Sequence, residues 1–346
     1  MRTILIRLLL LFSGLNIQAP SAELLYPPYA VPFMIRPQDP VTAAMGLSGA
    51  AYRTGPLSTL TNPAGLSHSD ITMLSGVHVP AQGQGLIPEN RPQYLNQESI
   101  AAGHPFHGFV IGGMFLHYNL GSGSEGQEDG GSSGYHVRLY QFSCARQFNI
   151  HEKLVLSAGL NLKRIENKLA HKHGAGYSGD VGFRIQHRSD KRMLMAGLSV
   201  CNLGLDFRYK QHLDTEYEIP LHLFRMGVAS LFLHPFRFFE TEILIALEYQ
   251  RNLNYDPKYF QNWEVLGGGV ECGVFDVLYL RVGKVFDLEK RENAESIEGV
   301  TFGAGFHTDI PFKSMPPLHL KLDYGRGLEI QNLNQNMISL TLEYDL

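Results

Sequence analysis

From Ile71 onward, apolar and polar positions alternate with a period close to two. The final residues show it best: Ile338, Leu340, Leu342, Tyr344 and Leu346 share one face, and Ser339, Thr341, Glu343 and Asp345 the other. Successive side chains of a strand point to opposite faces, so each such run is a ribbon with one greasy and one polar side. Leu154, Leu156, Ala158, Leu160 and Leu162 likewise oppose Ser157, Gly159, Asn161 and Lys163. Ile243, Ile245, Leu247 and Tyr249 oppose Glu242, Glu248 and Gln250, and Val300, Phe302, Ala304 and Phe306 oppose Thr301, Gly303, Gly305 and His307. The pattern predicts about fourteen strands, over roughly 71–79, 98–106, 107–119, 135–147, 153–166, 175–187, 192–202, 220–231, 240–252, 262–274, 276–286, 297–308, 317–327 and 336–346.

Two surroundings accept such ribbons: a soluble sheet over a core, or a barrel wall between lipid and a wet interior. The joins decide between them. Those after the second, fourth, sixth and tenth strands are short and those after the eighth and twelfth, near Pro235 and Pro316-Pro317, longer, whereas Pro80 to Gln97, Leu120 to Gly134, Leu203 to Ile219, Asn252 to Gln261 and Asp287 to Ser296 are long and polar. Outer-membrane barrels have this asymmetry, with tight turns on one side and extended loops on the other. Strand length agrees, because a tilted crossing of the bilayer needs roughly nine to eleven residues. The expected fold is all-β: a closed antiparallel transmembrane β-barrel of about fourteen strands over residues 71–346.

Composition supports that placement. Charged residues are 18% of 346, glycine (36) and aromatics are plentiful, and mean hydropathy is only -0.10. Residues 1–22 read as an export signal: Arg2 and Arg7 precede the apolar run Leu8 to Leu15, and Ala19-Pro20-Ser21-Ala22 offers a small-residue exit near Ala22. Its removal takes two arginines and no acid, so the net charge moves from -4 to -6, against a nucleic-acid partner. Cys144, Cys201 and Cys272 are odd in number and far apart, which fits small wall residues better than a disulfide framework.

Residues 23–70 break the pattern. Proline punctuates the stretch to Pro40, and Val41 to Leu66 is rich in Ala, Gly and Ser. Proline blocks ladder pairing, so an irregular or short-helical segment is expected, which something else must cover. Within it run Ala43-Ala44-Met45-Gly46-Leu47-Ser48-Gly49-Ala50-Ala51 and Thr61-Asn62-Pro63-Ala64-Gly65-Leu66. These resemble the start of FadL-like outer-membrane proteins, and more closely the PorV/PorQ family associated with type IX secretion. The resemblance implies a plug or hatch made by residues 23–70 inside the barrel, with Gly46, Gly49, Asn62, Pro63, Ala64, Gly65 and Leu66 as its motif. Asn62 suits a cap and Pro63 a first helical position. An ordinary loop-to-helix turn at the barrel mouth is the alternative. Two departures stand out: Tyr52-Arg53-Thr54-Gly55-Pro56 replaces acidic residues between the two motif halves, and the chain ends in Leu346 rather than an aromatic. Leu342, Tyr344 and Leu346 form the expected C-terminal assembly strand, the contact with the barrel-assembly machinery.

Catalytic and metal chemistry finds little footing. His171-Lys172-His173 reads as a solvated hairpin tip, and Gly267-Gly268-Gly269 as a bend or a place where a plug presses close. No G-x-S-x-G occurs. No catalytic residue, metal or cofactor is expected, and the chain is not expected to be an enzyme. Expected partners are outer-membrane lipid, secreted proteins or secretion subunits, and a hydrophobic small molecule. By the PorV/PorQ resemblance the chain acts as a binding or anchoring component of protein export in the bacterial outer membrane. The alternative is a FadL-like passive transporter of hydrophobic small molecules, for which Leu86-Ile87, Tyr255, Tyr259-Phe260 and Trp263 are either ligand-facing aromatics and aliphatics or an interfacial belt.

Overall fold

Pairing of neighbouring strands runs all the way round. The computed structural model describes residues 39–68, 71–84, 92–123, 133–169, 172–204, 207–210, 217–218, 222–233, 240–253, 264–289, 298–312, 316–328 and 336–345. The signal 1–22, residues 23–38, Leu346, and the residues between 85 and 91 and between 254 and 263 that sequence singled out lie outside the described residues. The strands are β1 (Thr72–Gln84), β2 (Pro92–Phe106), β3 (Phe109–Gly123), β4 (Ser133–His151), β5 (Leu154–Leu169), β6 (Lys172–Ser189), β7 (Arg192–Gly204), β8 (Phe207–Lys210), β9 (Tyr217–Glu218), β10 (Leu223–Leu233), β11 (Thr241–Asn252), β12 (Glu264–Val274), β13 (Leu278–Asp287), β14 (Gly299–Ile310), β15 (Leu318–Arg326) and β16 (Asn336–Tyr344). All pairs are antiparallel; β7 pairs with β10, β5 with β6, and β16 returns to β1, with Thr72 opposite Tyr344. Setting aside the short β8, which pairs alongside the first residues of β6, and β9, which pairs with β8, fourteen strands close into one barrel. Closure removes the free edges that an open sheet would leave.

The wall is inside-out relative to a soluble sheet. Leu162 is 68% exposed, Val300 63% and Leu160 59%, while Glu248 is 1%, Asn161 2% and Lys163 8% exposed. Apolar side chains stand outward and polar ones inward, as lipid on one side and protein or water on the other require. Phe106, Phe109, Phe148 and Phe275 stand exposed at the tight-turn rim, and the Arg146 guanidinium lies 4.9 Å from the Phe109 ring and 5.2 Å from that of Phe148. Such a girdle suits an interface where one end of the residue is apolar and the other wet. The β2–β3 hairpin turns on His107 and Gly108, both with positive φ (49° and 79°), the geometry that matches strand twist in a two-residue loop.

The strands overrun their sequence-expected ends. β1 continues through Pro80 to Gln84, and β2 begins at Pro92, so the expected loop from Pro80 to Gln97 shrinks. β3 and β4 similarly consume both ends of the loop between Leu120 and Gly134. His173 pairs with Lys168 in the ladder rather than occupying a turn. The reason is common to all three: beyond the lipid band both faces of a strand are polar, so pairing persists after the period-two signal has faded.

Residues 39–68 lie against the inward face of this wall. Asp39 caps α1 (Pro40–Ala44) by accepting from the Thr42 amide (3.1 Å), and proline occupies the first turn, where its missing donor costs nothing. Two 3-10 helices follow, Pro56–Leu60 and Pro63–His68, each opened by proline. Inward positions are not uniformly polar. Towards the long-join end, Val77, Leu116, Tyr118, Val137 and Ile165 cluster on one side, and Cys201, Leu223, Val265 and Val285 gather around Leu47 of the segment on the other, all buried.

Candidate functional site

The interior segment is tied to the wall by side chains from widely separated strands. On β11 the Glu248 carboxylate accepts from the amides of Gly49 (2.6 Å) and Ala50 (2.7 Å), from Arg225 Nε on β10 (2.7 Å) and from Gln250 Nε2 (3.0 Å). Arg225 and Gln250 also donate to the Leu47 carbonyl, at 3.1 and 2.8 Å. The Gly46 amide donates to Thr301 Oγ1, which in turn donates to the Ala44 carbonyl. Within the segment, Arg53 forks onto both oxygens of Asp39, 2.8 Å each. Near the bulge where β7 leaves register with β6, Asp180 accepts from Asn161 Nδ2 (2.5 Å), Lys163 Nζ (2.6 Å) and the amide of Asn202, whose φ is 62°.

The residues singled out by motif converge on this contact. Asn62 Oδ1 accepts from the Ala64 amide (3.0 Å), and its Nδ2 donates to the carbonyls of Ala50 (2.8 Å) and of Phe183 on β6 (3.0 Å). Pro63 presses on Gly159, and Asn62 on Gly182, so closely that any Cβ on these glycines would overlap them. Gly46 has φ +66° and its backbone lies on Gly267 and Gly283. The Gly49 amide is one of the two held by Glu248. Gly65 donates its amide to the Asn62 carbonyl; Ala64 is fully buried, and Leu66 packs with Val110 and Ala145. Gly197 and Gly325 meet the backbone of Ala50 and Pro40 in the same way. Leu342 and Tyr344 sit half-buried on β16, away from this contact. Cys201, a wall residue of β7, faces inward among apolar side chains, and its thiol points at the Thr61 carbonyl, 3.6 Å away. All three cysteines are free.

Between the segment and the tight-turn half of the wall lies a cavity of about 410 Å³. One side is mostly apolar, formed by Met193 and Met195 of β7, Leu231 of β10 and Leu244 of β11, with the Glu242 carboxylate of β11 among them. The other is charged. Arg281 on β13 pairs with Glu271 and, at 2.7 Å, with Asp323, while Lys321 pairs with Glu343 at 2.5 Å. Asp323 also receives His307, at 3.4 Å. Arg184, Gln186 and His68 complete the rim. Burial, and then the charge of Arg184, push the His68 imidazole down to about 3, so it is neutral and contacts Gln186 Oε1 through Nε2. The arrangement offers a molecule an apolar bed and a facing set of hydrogen-bonding groups; no group of metal-ligand residues occurs among the described residues. Sequence reading missed the cavity, Arg184 and the Glu248 cluster. The available signal was a charged residue at an inward position in mid-strand, as at Arg184, Arg225, Glu248 and Arg281.

No protein-family model matches the sequence, and no curated protein matches it. Among solved structures the chain is similar to the Pseudomonas putida toluene transporter TodX, at 13% identity and a TM-score of 0.49, covering 88% of this chain and 97% of that one. It is similar to the Ralstonia pickettii toluene transporter TbuX at 13% identity, a TM-score of 0.48 and the same coverage. A Pseudomonas aeruginosa FadL homologue gives 11% identity, a TM-score of 0.49 and coverage of 90% and 99%. All three are FadL-type outer-membrane barrels. Similarity of this order carries nothing about chemistry, and the closure of the wall stands on its own strand pairing.

Proposed function

We propose that the chain is a non-enzymatic conduit for small apolar molecules in the bacterial outer membrane, with residues 39–68 acting as its plug. The observation that carries this reading is the half-apolar, half-charged cavity between that segment and the wall. A water-filled pore has no use for a bed of Met193, Met195, Leu231 and Leu244, whereas ligand pockets pair such beds with a few placed polar groups. The apolar inward clusters towards the long-join end add to it. The neighbours named as toluene transporters suggest a probe. A bacterium carrying the barrel takes up radiolabelled toluene faster than one without it. On a background lacking the native cysteines, Ala51→Cys with Gly227→Cys tests the plug, because a Cβ on Gly227 lies 3.5 Å from that of Ala51, within disulfide reach. Oxidation then stops uptake and reduction restores it. Uptake indifferent to the protein's presence ends the proposal.

The binding role in type IX-like export, implied by the PorV/PorQ resemblance, is the second reading. What favours it is the density of hydrogen bonds on the segment, which a moving plug must break. Unchanged uptake together with a secreted protein or secretion subunit retained in mild detergent supports that role. Removal of residues 1–22 on export and entry through the assembly machinery by way of β16 are part of either reading.

A further inference from the structure

Buried cations on the inner face come with carboxylates. Lys163 has Asp180 at 2.6 Å, Arg225 has Glu248 at 2.7 Å and Arg281 has Asp323 at 2.7 Å; in the segment, the part-buried Arg53 has Asp39 at 2.8 Å. Arg184 on β6 breaks the rule. It is 3% exposed and lines the cavity, yet no carboxylate pairs with it among the described residues. Among the described residues its Nη1 donates to the Arg53 carbonyl (3.1 Å), its Nη2 reaches only the Met195 sulfur (3.2 Å), and its Nε has no partner. A thioether is a weak acceptor, and a buried charge without a counter-charge is costly to fold around. The neighbouring guanidinium, Arg53, already has its counter-charge in the fork onto Asp39.

We infer that Arg184 receives the carboxylate of a small organic acid, whose apolar body lies against Met193, Met195, Leu231 and Leu244. The guanidinium edge matches a carboxylate in shape and charge, and the adjoining methionines form an adaptable apolar bed. The inference rests on the cavity being a ligand site, as proposed above, and adds the sign of the ligand's charge.

Calorimetry on the detergent-solubilised barrel tests it, with sodium benzoate as probe, benzyl alcohol as its neutral counterpart and chloride as an inorganic anion. The wild type binds benzoate about tenfold or more tightly than benzyl alcohol, the scale of one charged hydrogen-bonding contact. Arg184→Met erases that difference. Met195→Glu, which sets a carboxylate where the sulfur now meets Nη2, also abolishes benzoate binding and raises thermal stability, so the test survives if Arg184→Met fails to fold. Equal binding of the two probes by wild type, undiminished benzoate binding by Arg184→Met, or full displacement of benzoate by equimolar chloride overturns the inference. Toluene uptake separates the two claims. Uptake intact with no benzoate preference leaves the conduit and removes the anion subsite; benzoate preference without uptake does the reverse.

Discussion

At Glu248 one carboxylate receives four donors, two of them from the interior segment. Glu248→Ala therefore strands the buried Arg225 charge and two buried amides at once. The expected loss is about 3–5 kcal/mol, the range for breaking one side of a buried pair. Adding Arg225→Met to that variant recovers part of the loss, because the abandoned charge goes with it. Denaturant unfolding in detergent measures both, and a double variant no more stable than the single one removes the argument. At this scale the sequence was half legible. Asn62 to Leu66 and the two glycines Gly46 and Gly49 could be picked out because their motif is local. The Glu248 cluster could not: Gly49 lies 199 residues from Glu248, and only the register of β10 on β11 sets Arg225 within reach of it.

Elements reveal how the segment and the wall fit. Glycines along the strands give the segment's backbone room that any Cβ would take. Gly197→Val drives a branched side chain into the Ala50 carbonyl, so residues 39–68 lose their seat and become open to limited proteolysis in the assembled barrel. Gly113→Val is the control: its Cβ meets nothing nearer than 3.7 Å and points outward, so protection stays intact. Equal cleavage of the two variants contradicts the account. The strands themselves were legible one for one, because a lipid-facing ribbon keeps a strict two-residue period. Their far ends were not, since alternation carries no information once both faces meet polar surroundings.

Over the whole molecule, polarity is arranged along the barrel axis as well as across the wall. Outward positions form an apolar band; inward ones carry apolar clusters at the long-join end and, at the tight-turn end, paired charges facing the methionine and leucine bed of the cavity. The band sets a depth scale. Ile245→Arg, in mid-band on β11, costs about 2–4 kcal/mol, while Phe275→Arg at the turn rim costs about 0–1 kcal/mol. Unfolding from lipid vesicles measures the pair, and equal penalties contradict the placement of the band. Closure was legible from loop asymmetry and strand length. The apolar inner clusters were not, because a strand with Leu116 and Tyr118 inward resembles one with those residues facing lipid until its neighbours fix the face.

The seam between β1 and β16 has a temporal side. It joins the first strand of the wall to the last, so the ring stays incomplete until both strands are in place. Whatever the cylinder encloses is sealed in at that late moment. Residues 39–68 touch strands on both sides of that seam, Pro40 against Gly325 of β15 and Gly55 against Met73 of β1, so their seat is complete only when the ring is.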